Sequence, residues 1–266
     1  MLRAALIQTT SIPDVTKNIA SLKSMIGKAK SGGASLILTP EVSNILGANK
    51  KKMFDTLKSE SEDPFLFSSR NLAAKYGIWL LLGSLALKLR TSHRMKRDFF
   101  VNRSFLISPN GIILARYDKI HMFDVKLLSG VEFNESKIYK NGFVGVVIKL
   151  PNFNLGLSIC YDLRFPKLYK ELAEKGAEIL CIPSAFTQQT GYLHWEILLR
   201  ARAIENRSFV LAPAQCGNHG NGRSSWGHSL AIDFFGNILV DAGSAPGVNF
   251  VDLDVTSLRK TRKYSL

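Results

Sequence analysis

Cysteine is scarce in this 266-residue sequence, and Cys160, Cys181 and Cys216 include no closely spaced pair. An odd, dispersed set of this kind predicts neither a disulfide framework nor a zinc site. The longest apolar run, residues 78–89, is interrupted by a glycine and a serine, whereas a bilayer requires about 20 apolar residues. The N-terminus has no basic segment followed by a long apolar stretch, so we expect a cytoplasmic protein without a membrane partner.

Acidic residues are also scarce, because 21 aspartates and glutamates face 35 lysines and arginines, a formal net charge of +14. A strongly basic chain can bind nucleic acid or a membrane surface. The basic residues, however, fall in scattered clusters at 50–52, 88–97 and 259–263, and none alternates with aromatic residues as in a nucleic-acid-binding module. We therefore expect a solvated, lysine-rich surface without a nucleic-acid partner, while the second cluster is left open as a partner surface.

The composition, with 46% hydrophobic and 21% charged residues, is that of a globular protein and excludes a disordered or fibrous chain. Neither a linker nor a repeat divides the sequence, so we expect a single domain over residues 1–266. Strands are predicted at 2–8, 36–38, 78–87, 102–108, 112–117, 145–150, 154–159, 179–182, 208–214, 229–233, 238–241 and 250–254. Helical patterns cover residues 14–30, 65–76, 166–175 and 194–205.

The order of these segments predicts an α/β fold. The first strand, helix and strand form a βαβ unit, which requires a parallel pair. Later strands are joined by short turns such as Pro109-Asn110-Gly111. Because there are too few helices for a single doubly wound sheet, two packed sheets with helices outside fit the pattern better.

Residues with reactive side chains follow several of the predicted strands. Glu41, Lys119 and Cys160 each come shortly after a strand, and Pro183-Ser184-Ala185-Phe186 follow a fourth. In parallel sheets, ligands bind beyond the carboxyl ends of the strands. A carboxylate, an ammonium group, a thiol and a small polar loop could therefore meet at one edge.

Cys160 ends an apolar strand and begins a turn into a helix, which is the context that exposes a nucleophile. The backbone N–H of Tyr161 would then point toward the same space, as an oxyanion donor does. The thiolate is the attacking species, so Cys160 needs a base or a cation, for which Glu41 and Lys119 are candidates. The alternative is that Cys160 is a small buried core residue, the usual position of cysteine.

The other candidates also have purely structural interpretations. Glu41 could be a charge at a helix N-terminus, and Lys119 could be a surface lysine. His121 and His194 are more often hydrogen-bonding residues of the framework than catalysts, and Cys181 lies within an apolar strand that predicts a core position. Taken one at a time, the residues leave these alternatives open.

Taken together and in order, three segments resemble the catalytic motifs of the nitrilase (carbon–nitrogen hydrolase) superfamily. They are Thr39-Pro40-Glu41, Tyr117-Asp118-Lys119-Ile120-His121 and residues 159–166, with the sequence ICYDLRFP. The resemblance covers residues 2–254, nearly the whole chain. Residues 183–205 are similar to the branch that contains deaminated-glutathione amidases and omega-amidases, and residues 214–217 and 226–229 favour the former.

This resemblance implies a four-layer αββα sandwich of two packed sheets with outer helices, and a homodimer or larger homo-oligomer. It implies a catalytic triad of Glu41, Lys119 and Cys160. A second glutamate is typical of such sites, and Glu135 matches that position better than Glu132. The resemblance also implies that neither a metal nor an organic cofactor is required.

The implied reaction is hydrolysis of a non-peptide C–N bond through a cysteine thioester, with release of ammonia from a small 2-oxo-acid amide such as deaminated glutathione. Three related activities, those of an omega-amidase, a carbamoylase and a nitrilase, are left as alternatives. A basic binding protein without turnover is the alternative from a different class.

The resemblance also implies a substrate site. Arg164 matches the arginine that binds the substrate carboxylate, and Tyr161, Phe186 and Thr190 would complete the pocket. The alternative is a structural role for Arg164, in a pair with an acidic residue such as Asp162.

Overall fold

The structure of the chain is a computed structural model that describes residues 1–89, 99–126, 130 and 132–263. Most of the basic cluster at 88–97, left open above as a partner surface, lies outside these residues. In the described ranges the helices are Val15–Ser31 (α1), Lys50–Thr56 (α2), Pro64–Tyr76 (α3), Pro166–Glu174 (α4), Gln188–Asn206 (α5) and Val255–Thr261 (α6). None of these helices has the length and apolar composition needed to cross a bilayer. The cytoplasmic location stays a prediction.

Among the described residues, one sheet has seven strands. They are Leu2–Gln8 (β1), Leu36–Leu38 (β2), Trp79–Lys88 (β3), Phe100–Ile107 (β4), Ile113–Asp118 (β5), Tyr139–Lys140 (β8) and Gly247–Leu253 (β17). Their spatial order is β17-β1-β2-β3-β4-β5, and β8 pairs with β4. Strands β1, β2 and β3 run parallel to one another. The pairs β17–β1, β3–β4 and β4–β5 are antiparallel, whereas β8 pairs parallel with β4.

The second sheet has six strands. They are Val146–Lys149 (β9), Asn154–Leu157 (β10), Ile179–Cys181 (β11), Phe209–Ala212 (β12), Leu230–Ile232 (β15) and Ile238–Asp241 (β16). The central strands β10, β11 and β12 are parallel. In the part of the chain that the structure describes, two further strand pairs lie outside both sheets. They are Asp124–Lys126 (β6) with Glu132–Asn134 (β7) and Cys216–Gly220 (β13) with Arg223–Trp226 (β14).

The strands of the first sheet contribute side chains to two separate apolar clusters, one on each face of the sheet. Leu36 and Leu38 of β2 belong to a core cluster that also contains Leu157 of the second sheet. Ile37 points to the other face and packs in a cluster with Phe65 of α3 and residues of α1. Successive side chains of a strand point to opposite faces, so a fully apolar strand such as β2 is expected where both faces are covered.

The structure confirms the predicted order of elements at most positions. Strands β1 and β2 form the predicted parallel pair, with Ala4 opposite Leu36. Helix α1 begins after Asp14, whose carboxylate accepts a hydrogen bond from the Lys17 N–H. Strands β4 and β5 form the antiparallel pair predicted around Pro109-Asn110-Gly111. Two sheets flanked by helices give the predicted four-layer α/β architecture.

The predicted start of α5 is wrong. The helix begins at Gln188 and not at His194, because the Thr187 side chain accepts a backbone hydrogen bond in the first turn and caps the helix there. Gly191 is typical of a loop, but here it allows close packing. A Cβ at this position would lie 2.3 Å from the Trp226 side chain of β14.

Several short elements were absent from the sequence-based prediction. Helices α2 and α6 have seven residues each, which is too short for a 3.6-residue periodicity to be recognised. The side chains of Asn49 and Asp254, which directly precede these helices, cap the first turns. Strand β17 starts at Gly247, before the predicted residue 250, because it pairs with β1 along the whole length of that strand.

Candidate active site

The structure brings Glu41, Lys119 and Cys160 together where the two sheets meet. Glu41 follows β2, Lys119 follows β5 directly, and Cys160 begins a short 3-10 helix after β10. All three are buried, with exposed fractions of 3%, 2% and 7%. They line a cavity of about 280 Å³ together with Glu135 and Arg164. Residues predicted from three separate motifs therefore share one site.

Lys119 lies between two carboxylates. Its Nζ is 2.9 Å from Glu41 Oε1 and 2.8 Å from Glu135 Oε2. The Glu135 carboxylate also accepts a 2.7 Å hydrogen bond from the Phe123 N–H. A buried charge is tolerated when it is paired and hydrogen-bonded, and this arrangement keeps the ammonium group and both carboxylates in one geometry.

Asn102 is a member of this cluster that the sequence reasoning missed. Its Nδ2 donates to Glu41 Oε1 at 2.9 Å and lies 3.4 Å from Glu135 Oε1. Its backbone C=O accepts a hydrogen bond from the Lys119 N–H. The available signal was a polar residue inside the apolar strand β4, since a buried amide requires hydrogen-bonding partners.

Cys160 has an uncommon backbone conformation, with φ at +49°, a region that non-glycine residues rarely occupy. Its N–H donates to the Pro183 C=O at 3.0 Å, and Cys160 lines the same cavity as Glu41 and Ala185. Over the described ranges, the Tyr161 N–H donates to no protein acceptor. A strained turn between strand and helix thus presents the sulfur to the cavity beside an available N–H.

Cys160, Glu41 and Lys119 shift one another's pKa values. Burial raises the pKa of the Cys160 thiol well above its ordinary value, and the Glu41 carboxylate raises it further. Burial also favours a higher pKa for Glu41, but the Lys119 ammonium outweighs it and lowers the pKa. Burial opposes the charge on Lys119, but Glu135 and Glu41 raise the pKa of this residue. The resting site therefore holds a neutral thiol beside an ionised glutamate and a protonated lysine.

Asp162 joins the segment of Lys119 to the segment of Cys160. Its carboxylate accepts hydrogen bonds from the Tyr117 hydroxyl at 2.6 Å and from the His121 N–H at 3.0 Å. The ring Nδ1 of His121 lies 2.7 Å from the same carboxylate. Tyr117 and His121 flank Lys119 in the chain, so both serve the framework that positions the lysine.

Gly83 lies where the segment that carries Glu41 approaches the loop of Pro183, whose C=O accepts a hydrogen bond from the Cys160 N–H. A Cβ at this position would lie 1.9 Å from the Thr39 carbonyl oxygen and 2.4 Å from the Pro183 Cβ. The Gly83 N–H donates to the Thr39 hydroxyl at 3.0 Å, and the pairing of β3 with β4 is irregular at this position. A residue without a side chain is required where two backbone segments approach so closely.

The predicted substrate residues Tyr161, Arg164, Phe186 and Thr190 all line the same cavity. The guanidinium of Arg164 lies 5.8 Å from the centroid of the Tyr161 ring and 5.7 Å from that of Phe186. Its Nη2 is 3.2 Å from Nδ1 of His194. Within the part of the chain that the structure describes, Arg164 forms no ion pair with a carboxylate, so the predicted alternative of an acidic partner is not observed there.

Among the described side chains, no group of three or more His, Cys, Asp or Glu residues is arranged to hold a metal ion. The carboxylates of Glu41 and Glu135 both bind Lys119, so an ammonium group lies between them. That neither a metal nor an organic cofactor is required stays a prediction.

A four-layer αββα fold with a glutamate, a lysine and a cysteine at the meeting edge of its sheets defines the class of carbon–nitrogen hydrolases. The sequence model of that family, described as carbon-nitrogen hydrolase, matches residues 3–263. The chain therefore belongs to the carbon–nitrogen hydrolase family. This result confirms the superfamily and the hydrolase class that the three motifs predicted.

Several individual proteins of known name or structure are similar to this chain over nearly its whole length. The chain is 39% identical over 260 residues to the deaminated glutathione amidase of Yersinia enterocolitica, a match that covers 97% of this chain and 88% of that protein. The crystal structure of the C. elegans NitFhit protein has a TM-score of 0.90 and 35% identity, but the chain spans only 63% of that longer protein. A mutant amidase from Nesterenkonia sp. AN1, with acrylamide added at its active-site cysteine, has a TM-score of 0.80 and 26% identity over 99% of this chain and 97% of that one.

Proposed function

We propose that the chain is a single-domain amidohydrolase whose nucleophile is Cys160 and whose substrate is a small amide of a 2-oxo acid. The convergence of the Cys160 thiol, the Glu41 carboxylate and the Lys119 ammonium on one buried cavity carries this proposal. Hydrolysis of an amide through a thioester requires a nucleophile, a base and a group that stabilises the oxyanion. The relative from Yersinia enterocolitica is named for an amidase reaction on a 2-oxo acid of this kind, deaminated glutathione.

The reaction begins from a neutral thiol. Glu41 removes the proton of Cys160 as the sulfur attacks the carbonyl carbon of the amide, so the thiolate forms only when substrate is present. The carbonyl oxygen becomes an oxyanion, which the Lys119 ammonium and the Tyr161 N–H stabilise. Because both donors are fixed in a buried site, their interaction with the oxyanion is stronger than in water.

The C–N bond breaks when protonated Glu41 returns its proton to the leaving nitrogen. A primary amide then releases ammonia, and a secondary amide releases the corresponding amine. Water next attacks the thioester with Glu41 as base, the C–S bond breaks, and the carboxylic acid leaves as the Cys160 thiol is regenerated. Glu135 holds the Lys119 ammonium in place through both steps.

Arg164 supports a 2-oxo acid as the substrate. A guanidinium binds a carboxylate through two parallel hydrogen bonds. The Arg164 side chain is held over the rings of Tyr161 and Phe186 at the wall of the cavity, and its only polar contact in the described ranges is with His194. A substrate carboxylate would supply the missing anionic partner, and Thr190 lines the same cavity.

The test is a substrate panel with the purified chain. The panel contains primary and secondary amides of 2-oxo acids, simple aliphatic amides, nitriles and carbamoyl amino acids, and the measurement is the ammonia or amine released. We expect the highest kcat/KM for the 2-oxo-acid amides. Cys160→Ala abolishes turnover, whereas the matched control Cys181→Ala, in the core strand β11, retains it.

Other outcomes of the panel would identify the alternatives. Highest activity on nitriles or carbamoyl amino acids would replace the proposed substrate but keep the nucleophile. Wild-type activity in Cys160→Ala would overturn the nucleophile. No turnover of any compound, together with salt-dependent binding of RNA, would favour a binding protein.

We also propose that the chain forms a homodimer through the exposed face of α5. Leu193, Ile197 and Ile204, which are spaced four and seven residues apart on one face of this helix, are 47%, 69% and 50% exposed. An exposed apolar patch of this kind is typical of a protein–protein interface. Sedimentation velocity should show a dimer that Ile197→Glu converts to a monomer. Phe67→Glu, at an equally exposed position on α3, is the matched control and should leave the dimer intact.

A further inference from the structure

The cavity that contains Cys160 has positive charge that its carboxylates do not balance. Its acidic lining residues are already engaged, since Glu41 and Glu135 both bind Lys119 and Glu132 pairs with Lys126 at 3.5 Å. Three further cations also line the cavity, and they are Lys50, Arg164 and Arg223. A ligand that enters this cavity therefore meets several cations and few available anions.

Arg223 is the cation for which the sequence predicted no role. It lies at the start of β14 and is half-buried. Throughout the described ranges, its guanidinium forms neither an ion pair nor a hydrogen bond with another residue. A guanidinium presents five N–H donors, and burial without partners is unfavourable. A half-buried arginine at a cavity wall without an anionic partner is thus prepared to receive one from a ligand.

The hairpin that carries Arg223 is held firmly against the site. Ser225, two residues further, forms a bridge with Thr187 and its C=O accepts a 2.8 Å hydrogen bond from Gln188 Nε2. Its hydroxyl lies 2.8 Å from Nε2 of His219. The opposite strand and the loop before α5 therefore fix the backbone of Arg223, so its side chain projects from a defined position.

The charge of Arg223 affects the pKa values of two residues that line the cavity, Tyr139 and Glu41. Burial raises the pKa of Tyr139 and the Glu135 charge raises it further, while Arg223 opposes both. Among the groups that lower the pKa of Glu41, Lys119 is the strongest and Arg223 also contributes. Tyr139 lines the same cavity. An anion bound by Arg223 would therefore lie within the substrate cavity.

Arg164 and Arg223 belong to different parts of the chain. Arg164 ends the 3-10 helix that begins at Cys160, whereas Arg223 lies on the β13–β14 hairpin. Each lacks a carboxylate partner in the described residues. Two separately supported guanidinium groups around one thiol suit a substrate with an anionic group at each of two positions.

We propose that Arg223 binds a second carboxylate of the substrate, distinct from the 2-oxo-acid carboxylate assigned to Arg164. The preferred substrates are then 2-oxo-acid amides with another carboxylate on the amine side of the scissile bond. This inference rests on the proposed function, because it assumes that the amide carbonyl lies at Cys160 and that one carboxylate already occupies Arg164.

The test compares two matched compounds. The first is 2-oxoglutaric acid whose distal carboxyl is amide-linked to glycine, and the second carries glycinamide in place of glycine, so it lacks the second carboxylate. Loss of one charged hydrogen-bonding pair typically weakens binding by roughly 10- to 100-fold. We expect Arg223→Gln to raise KM for the glycine compound by this factor and to leave KM for the glycinamide compound within about twofold. Arg223→Lys retains part of the preference.

Lys50→Gln is the control for the general positive potential, because it removes another cation of the same cavity. It should preserve the preference for the glycine compound. An equal loss of preference in Lys50→Gln would overturn the assignment to Arg223. Equal effects of Arg223→Gln on the two compounds would also overturn it, because they would indicate a change in Glu41 or in folding.

A binding measurement separates this inference from the proposed function. Calorimetry on Cys160→Ala reports the affinity for both compounds without turnover. If the wild-type chain hydrolyses neither compound but Arg223→Gln selectively weakens binding of the glycine compound, the proposed function fails and the carboxylate site stands. If the wild-type chain hydrolyses both and binds them equally, the proposed function stands and the carboxylate site is rejected.

Discussion

The Asp162 carboxylate accepts a 2.6 Å hydrogen bond from the Tyr117 hydroxyl, although the two residues are 45 positions apart in the chain. Tyr117 belongs to the strand that ends just before Lys119, and Asp162 belongs to the turn that begins at Cys160. Asp162 is fully buried. The bond therefore joins the first sheet to the second beside the site and sets the distance between the ammonium group and the thiol.

Removing this connection should lower both stability and activity. Asp162→Asn takes away the charged acceptor of Tyr117 and His121, and a buried donor without a partner costs about 1–3 kcal/mol. Tyr117→Phe removes a single donor, so its effect should be smaller. Urea unfolding and kcat of both variants check this order. Equal kcat in Asp162→Asn and the wild-type chain would contradict a positioning role.

Glu135→Gln should lower kcat with little change in KM, because the Glu135 carboxylate binds the Lys119 ammonium and the Phe123 N–H and so acts on the reaction through the lysine. A loss of roughly 10²-fold is expected if the ammonium no longer aligns with the oxyanion. Burial favours the neutral lysine, and Glu135 raises the pKa of Lys119 against it. Without that charge the pKa falls, so the alkaline decline of kcat should move to lower pH.

Glu132→Gln is the matched control for this change. Glu132 is the neighbouring glutamate and pairs with exposed Lys126. Its variant should keep the wild-type pH profile. An unchanged alkaline limb in Glu135→Gln, or the same shift in both variants, would argue against the role assigned to Glu135.

Gly83→Ala should destabilise the fold and abolish most of the activity. The added methyl group would lie 1.9 Å from the Thr39 carbonyl oxygen, so the loop that carries Glu41 must move. Overpacking of this kind costs about 1–3 kcal/mol, and occasionally more. Gly247→Ala is the control, since a Cβ there meets no atom within 4 Å. Thermal unfolding and kcat/KM of both variants test the expectation, and a Gly83→Ala protein with native values would refute it.

His219 should make the fold sensitive to acid. Burial lowers the pKa of His219 from 6.5 to about 4, and the ring bonds to the Ser11 C=O and the Ser225 hydroxyl. The unfolded chain therefore takes up a proton below pH 6.5 that the folded chain does not. The free energy of unfolding falls as pH decreases from 6.5 toward 4, by about 3 kcal/mol in total, and this contribution is constant above that window.

Urea unfolding of the wild-type chain and His219→Gln between pH 7 and pH 4 isolates this effect from the other titrating groups. The stability difference between the two proteins should shrink as pH falls, since the variant has no imidazole to protonate. Parallel stability curves over the whole range would show that His219 does not contribute.

Local sequence patterns were sufficient to predict the positions of many strands and helices. The strand at Leu2–Gln8 and the three apolar residues at Leu36–Leu38 were predicted at their observed bounds, because a buried strand is recorded in consecutive apolar side chains. The order of the three motifs likewise led to Glu41, Lys119 and Cys160. Strand positions and short motifs depend on residues that are adjacent in the chain, so they can be read from the sequence alone.

The contacts that shape the site depend on residues far apart in the chain. Asn102 and Glu41 are 61 positions apart, and Lys119 and Glu41 are 78 apart. Nothing near Gly83 or Arg223 in the sequence indicates that these residues reach the cavity. A polar residue inside an apolar strand, such as Asn102, indicates a need for buried partners but does not identify them. The roles of these residues arise when two sheets pack face to face, because only that packing brings the ends of β2, β5 and β10 to one buried edge. Arg223 lines the same cavity and has no partner there among the residues that the structure describes.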